Sequence, residues 1–266
     1  MASLLPQFKI QLTCEVHQYK FLHKVSWIRY TKFFDIQSGH SARLANNVMK
    51  IDIISDTVCP WCFIGKRRLE RALAMRPKIV PEINWHPFQL NPEMPKEGIK
   101  RELYLSLKFG GSDRATEIYR AIEEASASED LDINFNAIKR MPNSLNSHRL
   151  LHFSKIKGTQ DVVVENLFRS YFFYGTDIGS LDSLLQISEN SGLDPNQIRY
   201  YLESDKDLDL VRGQDIQSRK MGVSGVPCFI VENEYAISGA QEPEVFLQVF
   251  DAAKQLAPEE NLKTST

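Results

Sequence analysis

The sequence contains no uninterrupted apolar run near the ~20 residues that a membrane-spanning helix requires. It also lacks charge of one sign: 32 Lys and Arg stand against 34 Asp and Glu, for a net charge of -2. No overall field therefore draws the chain to nucleic acid or to an anionic membrane. Cysteine is scarce, with four in 266 residues, which excludes the disulfide framework of a small secreted scaffold. A structural zinc site needs four ligands, usually as two closely spaced pairs. Here one close pair exists, and Cys14, Cys228 and six scattered histidines supply no second, so no metal is expected. Internal repeats are absent. The first 30 residues lack the apolar core and small-residue cleavage site of a secretory signal.

What is present is ordinary globular composition, 42% hydrophobic and 25% charged, enough for one large domain or two modest ones. Residues 1–48 carry six Lys or Arg against only Glu15 and Asp35. They read as a poorly ordered extension or an organelle presequence, because organised sequence starts at Met49. The expected compartment is the cytoplasm, or the mitochondrion if residues 1–48 act as a presequence.

Alternation around Ile51, Ile53 and Ile54 in "KIDIISD" predicts a strand. Cys62, Gly65, Leu69, Ala72 and Leu73 then recur at helical spacing, so a helix is expected from about Cys59 to Met75, with Pro60 in its first turn. "VPEINWHPFQL" is a second strand, completing a βαβ unit. Residues 96–221 read as helices, interrupted at Gly110–Gly111 and started again by caps. One of these caps is a predicted capping box with Asp194, Pro195 and Gln197. The chain returns to strand in "VPCFIV" and "EYAISG", joined by the two-residue turn Glu232–Asn233, and closes with a helix that starts near Pro243. The expected fold is α/β, with a large all-helical insertion (96–221) between a βαβ half and a ββα half, residues 49–95 and 222–257. Phe168, Tyr171, Phe172 and Phe173 read as helical core, and His86 as structural.

The stretch "SDTVCPWCFIGKRRLE" puts Cys59 and Cys62 three positions apart where the first strand gives way to a basic helix. An inert pair of core cysteines is the plain alternative to redox chemistry. Position favours redox. Unpaired N–H groups and the positive end of a helix dipole stabilise a thiolate at the helix start, lowering a thiol from the ~8.5 of free cysteine. Cys59 is then the attacking thiol. Cys62, one turn further in and expected to be the more buried, resolves the mixed disulfide. Trp61 flanks the pair as a substrate contact. Far downstream, Pro227 stands at the start of a strand; a proline there alone is commonplace, but proline is disfavoured in a sheet interior, so one that leads into a strand beside CPWC needs a reason.

"IDIISDTVCPWCFIGKRRLE", "NSLNSHRLLHFS", "FFYGTDI", "GVSGVPCFIV" and "YAISGAQ" occur in order over residues 50–241 and resemble the DsbA-like thioredoxin family, FrnE-type branch. The resemblance implies a thioredoxin fold and thiol–disulfide oxidoreductase activity. It assigns Cys59 as attacking thiol, Cys62 as resolving thiol and Pro227 as a cis proline that faces them. The backbone of Val226 would pair with an extended substrate, and the helix carrying His148 would lie over the active-site side, where His148 could contact substrate or Cys59, with a surface or capping histidine as the alternative. The implied partners are protein or small-molecule disulfides, with no bound cofactor and with glutathione as a candidate thiol donor. Two departures stand out. Cys228 follows the proline where an aromatic or aliphatic residue is usual; it reads as a core-filling thiol, with a third redox thiol as the alternative. The related kappa glutathione transferases and hydroxychromene carboxylate isomerases have Ser at the first cysteine, where this chain has Cys59. A glutathione-dependent transferase or isomerase is the second functional reading, and a non-catalytic, chaperone-like binding module the third.

Overall fold

The computed structural model describes residues 28–29, 47–110 and 112–255. Its strands are β1 (Ile28–Arg29), β2 (Val48–Ser55), β3 (Val80–Pro87), β4 (Ile99–Lys100), β5 (Arg140–Met141), β6 (Cys228–Val231) and β7 (Tyr235–Ser238). The helices are α1 (Pro60–Ala74), α2 (Arg101–Phe109), α3 (Ser112–Ala127), α4 (Leu145–Ile156), α5 (Gln160–Phe172), α6 (Leu181–Asn190), α7 (Pro195–Glu203), α8 (Leu208–Lys220) and α9 (Pro243–Gln255).

The main sheet runs β1-β7-β6-β2-β3. β2 and β3 are parallel, Ile53 opposite Trp85, so the connection through α1 is the crossover that a parallel pair demands. β6 lies antiparallel on the other edge of β2, with Ile54 opposite Cys228. Two halves of the chain separated by about 140 residues of sequence thus meet along one strand. Ile51 and Ile53 are fully buried there, and Ile54 is nearly so. β2 lies between its neighbours β6 and β3, and every residue from Ile51 to Ser55 is buried. Between β6 and β7, Val231 pairs with Tyr235, so the connection has three residues, 232–234, and not the two expected; Glu232 and Asn233 both have positive φ, 53° and 55°, and the Glu234 N–H closes the turn on the Val231 carbonyl at 3.0 Å.

The expected βαβ and ββα halves are both present. The segment between them is not all-helical, however: Ile99 pairs with Met141 and Lys100 with Arg140 in a short antiparallel ribbon. Two residues per strand leave too little periodicity to read from sequence. Gly110 closes α2 in the left-handed conformation, φ 73°, which glycine adopts without steric cost. Asp194 caps α7 by accepting from the Asn196 N–H at 2.9 Å, while among the described residues no bond returns from Gln197, so the cap is one-sided. Of residues 1–48, the described Ile28–Arg29 pairs with Ala236 and Tyr235 on the open edge of β7, and β2 begins at Val48. The rest of that extension, up to residue 46, lies outside the described residues.

The helices position the site through packed aromatic rings. Phe63 of α1 stacks on Phe168 of α5, with centroids 5.1 Å apart, and Trp85 of β3 meets the same ring edge-on. Phe168, Tyr171 and Phe172 are buried core, as their helical spacing predicts. Each such ring contributes about 1.5–3 kcal/mol through burial. Arg149, also buried, spends its guanidinium on the end of α7, donating to the carbonyls of Tyr201, Leu202, Ser204 and Lys206. It caps that helix and is not part of the cysteine site.

Candidate active site

β2 ends at Ser55, and the chain turns through Asp56, Thr57 and Val58 before α1 begins. The turn is built around Asp56. Its Oδ1 accepts from the Val58 N–H at 3.4 Å, its Oδ2 from the Leu90 N–H at 2.7 Å, and its carbonyl from the Cys59 N–H at 3.0 Å. Nε2 of His148 lies 3.3 Å from Oδ1. Beside it, the hydroxyls of Thr57 and Ser147 are 2.6 Å apart. Asp56, Thr57 and Ser147 are all solvent-excluded. A loop that would otherwise bury unpaired backbone groups is thereby satisfied and tied to α4 and to the exit of β3.

This turn delivers Cys59 as the N-cap of α1, with φ −94° and ψ 113°, ahead of Pro60. The Cys62 N–H donates to the Cys59 carbonyl at 3.1 Å. Neither cysteine, nor Cys228, is in a disulfide here. The expected contrast in burial is not found: Cys59 is 2% and Cys62 1% exposed, because Val226 closes over Cys59. The Cys59 Sγ donates to the Val226 carbonyl at 3.6 Å, and Val226–Pro227 is a cis peptide bond. The Val226 carbonyl, expected to await a substrate, thus receives the Cys59 thiol in this structure. The Pro227 carbonyl accepts from the Gly239 N–H at 2.8 Å.

Close approach of α1 to Pro227 depends on Gly65. A Cβ there would lie 3.0 Å from Pro227 Cγ and 3.0 Å from Phe229 Cζ. Gly65 was expected only as a member of the helix's buried face. Its role in admitting the proline becomes visible once β6 is placed beneath α1.

Cys59, Pro60 and Trp61 open onto a cleft whose far wall includes Arg101, Tyr104 and Tyr119. His148 does not line this cleft. It is buried against Asp56 and borders a second cavity of about 420 Å³ with His86, His152 and Lys155. The reason is register: the turn of α4 that places Ser147 on Thr57 also drives the His148 ring behind the loop. Cys228 pairs with Ile54 in the sheet, on the face opposite that of Phe229, which meets α1 at Gly65, and burial pushes its thiol up to about 12. Buried and held protonated, it is a poor nucleophile. His86 bonds to Asp52 at 3.0 Å, a link between neighbouring strands. Among the described residues no group of three His, Cys, Asp or Glu could hold a metal ion, and no helix is long and apolar enough to cross a membrane.

A family model for the DSBA-like thioredoxin domain matches residues 50–251. The chain belongs to the DsbA-like thioredoxin-domain family. This DsbA-like chain is 27% identical over 198 residues to YwbO of Bacillus subtilis (strain 168), covering 74% of the chain and 92% of YwbO. A solved "probable DsbA oxidoreductase" from Streptomyces coelicolor is 29% identical, with TM-score 0.72 over 82% of this chain and 94% of that one. The cytosolic disulfide reductase DsbM of Pseudomonas aeruginosa, solved with GSH, shares the fold at 12% identity, TM-score 0.53, over 77% and 96% of the two chains.

The residues missed in the sequence are Asp56, Arg101 and Tyr104. Asp56 was legible only as the end of an alternating strand. Arg101 and Tyr104 lie in the middle segment, about 40 residues beyond the cysteines, and no spacing rule links the two regions.

Proposed function

We propose that this DsbA-like protein is a thiol–disulfide oxidoreductase working through Cys59 and Cys62. The observation that carries it is the meeting of Cys59, at the N-cap of α1, with the carbonyl of Val226 beside cis Pro227. First N–H groups and the positive dipole end of a helix favour negative charge at that position. Cys59, as thiolate, attacks one sulfur of a substrate disulfide R–S–S–R′. The Cys59–S–S–R bond forms, the R–S–S–R′ bond breaks, and R′–S⁻ leaves and takes up a proton. Cys62 then attacks the Cys59 sulfur, giving the Cys59–Cys62 disulfide and releasing the second thiol. An external thiol of the glutathione class returns the pair to the dithiol, so the protein needs no bound cofactor. The substrates are protein or small-molecule disulfides, met along the exposed side of Trp61 and at the backbone of Val226.

The test is stoichiometric. Pre-reduced protein is mixed with 2-hydroxyethyl disulfide, and free thiols on the protein are counted against time. Two thiols should be lost per chain, with one Cys59–Cys62 disulfide recovered by peptide mapping. A protein that remains reduced, or that loses thiols only at Cys228, overturns the proposal.

A further inference from the structure

Among the described residues, the cleft in front of Cys59 carries two cations, Arg101 and Lys108, and no carboxylate. Arg101 is the first residue of α2. Its own N–H donates to the Lys139 carbonyl at 3.0 Å, and the β4–β5 ribbon immediately before it holds the backbone in place. Its guanidinium lies over the Tyr119 ring at 4.8 Å and the Phe135 ring at 5.5 Å. Those two rings pack on each other at 4.4 Å. Every other buried or half-buried arginine of α1, α4 and α8 has an anionic or carbonyl partner: Arg67 with Glu165, Arg68 with Glu129, Arg149 with the end of α7, Arg219 with Asp215. Arg101 has none among the described residues.

A guanidinium is planar and presents its donors as a rigid fork suited to a carboxylate. Stacking on two rings holds the plane without using the fork. A half-buried cation kept without a partner is a cost that binding of an anion would offset. Lys108 adds a second positive charge on the same wall, anchored by donation to the Tyr104 hydroxyl at 2.7 Å.

We infer that Arg101 is a carboxylate-binding subsite of this cleft, and that the disulfides exchanged at Cys59 are low-molecular-weight ones bearing carboxylates. This rests on the dithiol chemistry proposed above and names its substrate class. The balance is unchanged: protein dithiol plus R–S–S–R gives protein disulfide plus two R–SH, with the carboxylate of one R on Arg101.

Two measurements test it. In the first, pre-reduced protein is oxidised by 3,3′-dithiodipropionate, a dianion, and by uncharged 2-hydroxyethyl disulfide, and the ratio of second-order rate constants is divided by the same ratio for free dithiothreitol. Wild type should favour the dianion at least tenfold, and less so as salt rises. Arg101→Met keeps the apolar stacking and should lower the ratio about tenfold or more, with partial recovery in Arg101→Lys. A wild-type ratio no higher than that of dithiothreitol, or one indifferent to Arg101→Met, overturns the subsite. In the second, calorimetry follows binding of 3,3′-thiodipropionate, a thioether that cannot exchange. Binding should weaken at least tenfold in Arg101→Met, and equal binding overturns the subsite. If the thioether binds through Arg101 while neither disulfide oxidises the protein, the subsite stands and the dithiol proposal fails.

Discussion

The Asp56 carboxylate meets the His148 imidazole at 3.3 Å, with Asp56 fully buried and His148 only 2% exposed. The same carboxylate holds the N–H groups of Val58 and Leu90, so one side chain fixes the entry to α1, the exit of β3 and the first half of α4.

Asp56→Ala strands a buried N–H group at Val58, a part-buried one at Leu90 and a buried imidazole. Each unsatisfied buried group costs about 1–3 kcal/mol, so a loss of about 2–4 kcal/mol is expected in urea unfolding. Asp56→Asn keeps one acceptor oxygen and should lose less. A loss under about 1 kcal/mol for the alanine variant would mean that the loop is held elsewhere.

Cys62→Ala should accumulate mixed disulfides through Cys59, because the resolving thiol is gone and the attacking one remains. Intact-mass analysis after exposure to 2-hydroxyethyl disulfide should show one adduct per chain, mapping to Cys59. Cys228, whose thiol burial pushes up to about 12, should resist iodoacetamide at pH 8 in the folded protein. An adduct at Cys228 in either experiment would contradict its placement in the sheet.

Gly65→Ala sets two effects against each other. Alanine gains about 1 kcal/mol over glycine in a helix interior. Its Cβ, however, would stand 3.0 Å from both Pro227 and Phe229, and overpacking typically costs about 1–3 kcal/mol. Phe229 is fully buried against Phe246 and has little room to yield, so the variant should be net destabilised and slower in the single-turnover oxidation. A more stable variant with unchanged rate would show that Pro227 can move at no cost.

Glu165 should control part of the acid limb of stability. Burial works to raise its carboxyl, but the hydrogen bond from Arg67 and the charge of Lys66 outweigh it and hold it below its ordinary 4.5. The native state therefore binds fewer protons than the unfolded chain. The resulting stability is fully present above about pH 4.5 and is lost as pH falls through the native value. Lys66 is the mirror case. Burial works to lower it, but the Asp161 charge and the Glu70 hydrogen bond leave it raised above 10.5, so its share is lost only as pH rises past that value. In Glu165→Gln, unfolding midpoints measured from pH 3 to 7 should fall less steeply towards acid. An unchanged slope would assign the acid limb to other carboxylates, such as Asp52, where burial is likewise outweighed by His86 and Lys50.

Local signals were enough for β2, α1, the β6–β7 hairpin and the cysteine pair. Alternation, helical spacing, Pro60 in a first turn and Glu232–Asn233 between apolar runs each act over a few residues, so the sequence by itself determined them, and with them the thioredoxin-like layout. Pairing across long separations was decided only in three dimensions. β6 reaches β2 from about 175 residues away, and this contact sets Val226 on Cys59, buries that thiol as deeply as Cys62, and makes Gly65 a spacing device. His148 looked like a site residue because its helix crosses the right region. The rotation of α4 about its axis, fixed by Ser147 on Thr57, sends the ring behind the loop. Arg101 carried no motif at all: a single arginine at a helix start is commonplace, and only the fold reveals that it lines the cysteine cleft over two rings with no anion of its own among the described residues. Hydrophobic and turn periodicities are short-range and leave a trace in sequence, whereas a charge's partner, or the lack of one, depends on which distant surfaces the tertiary structure brings together.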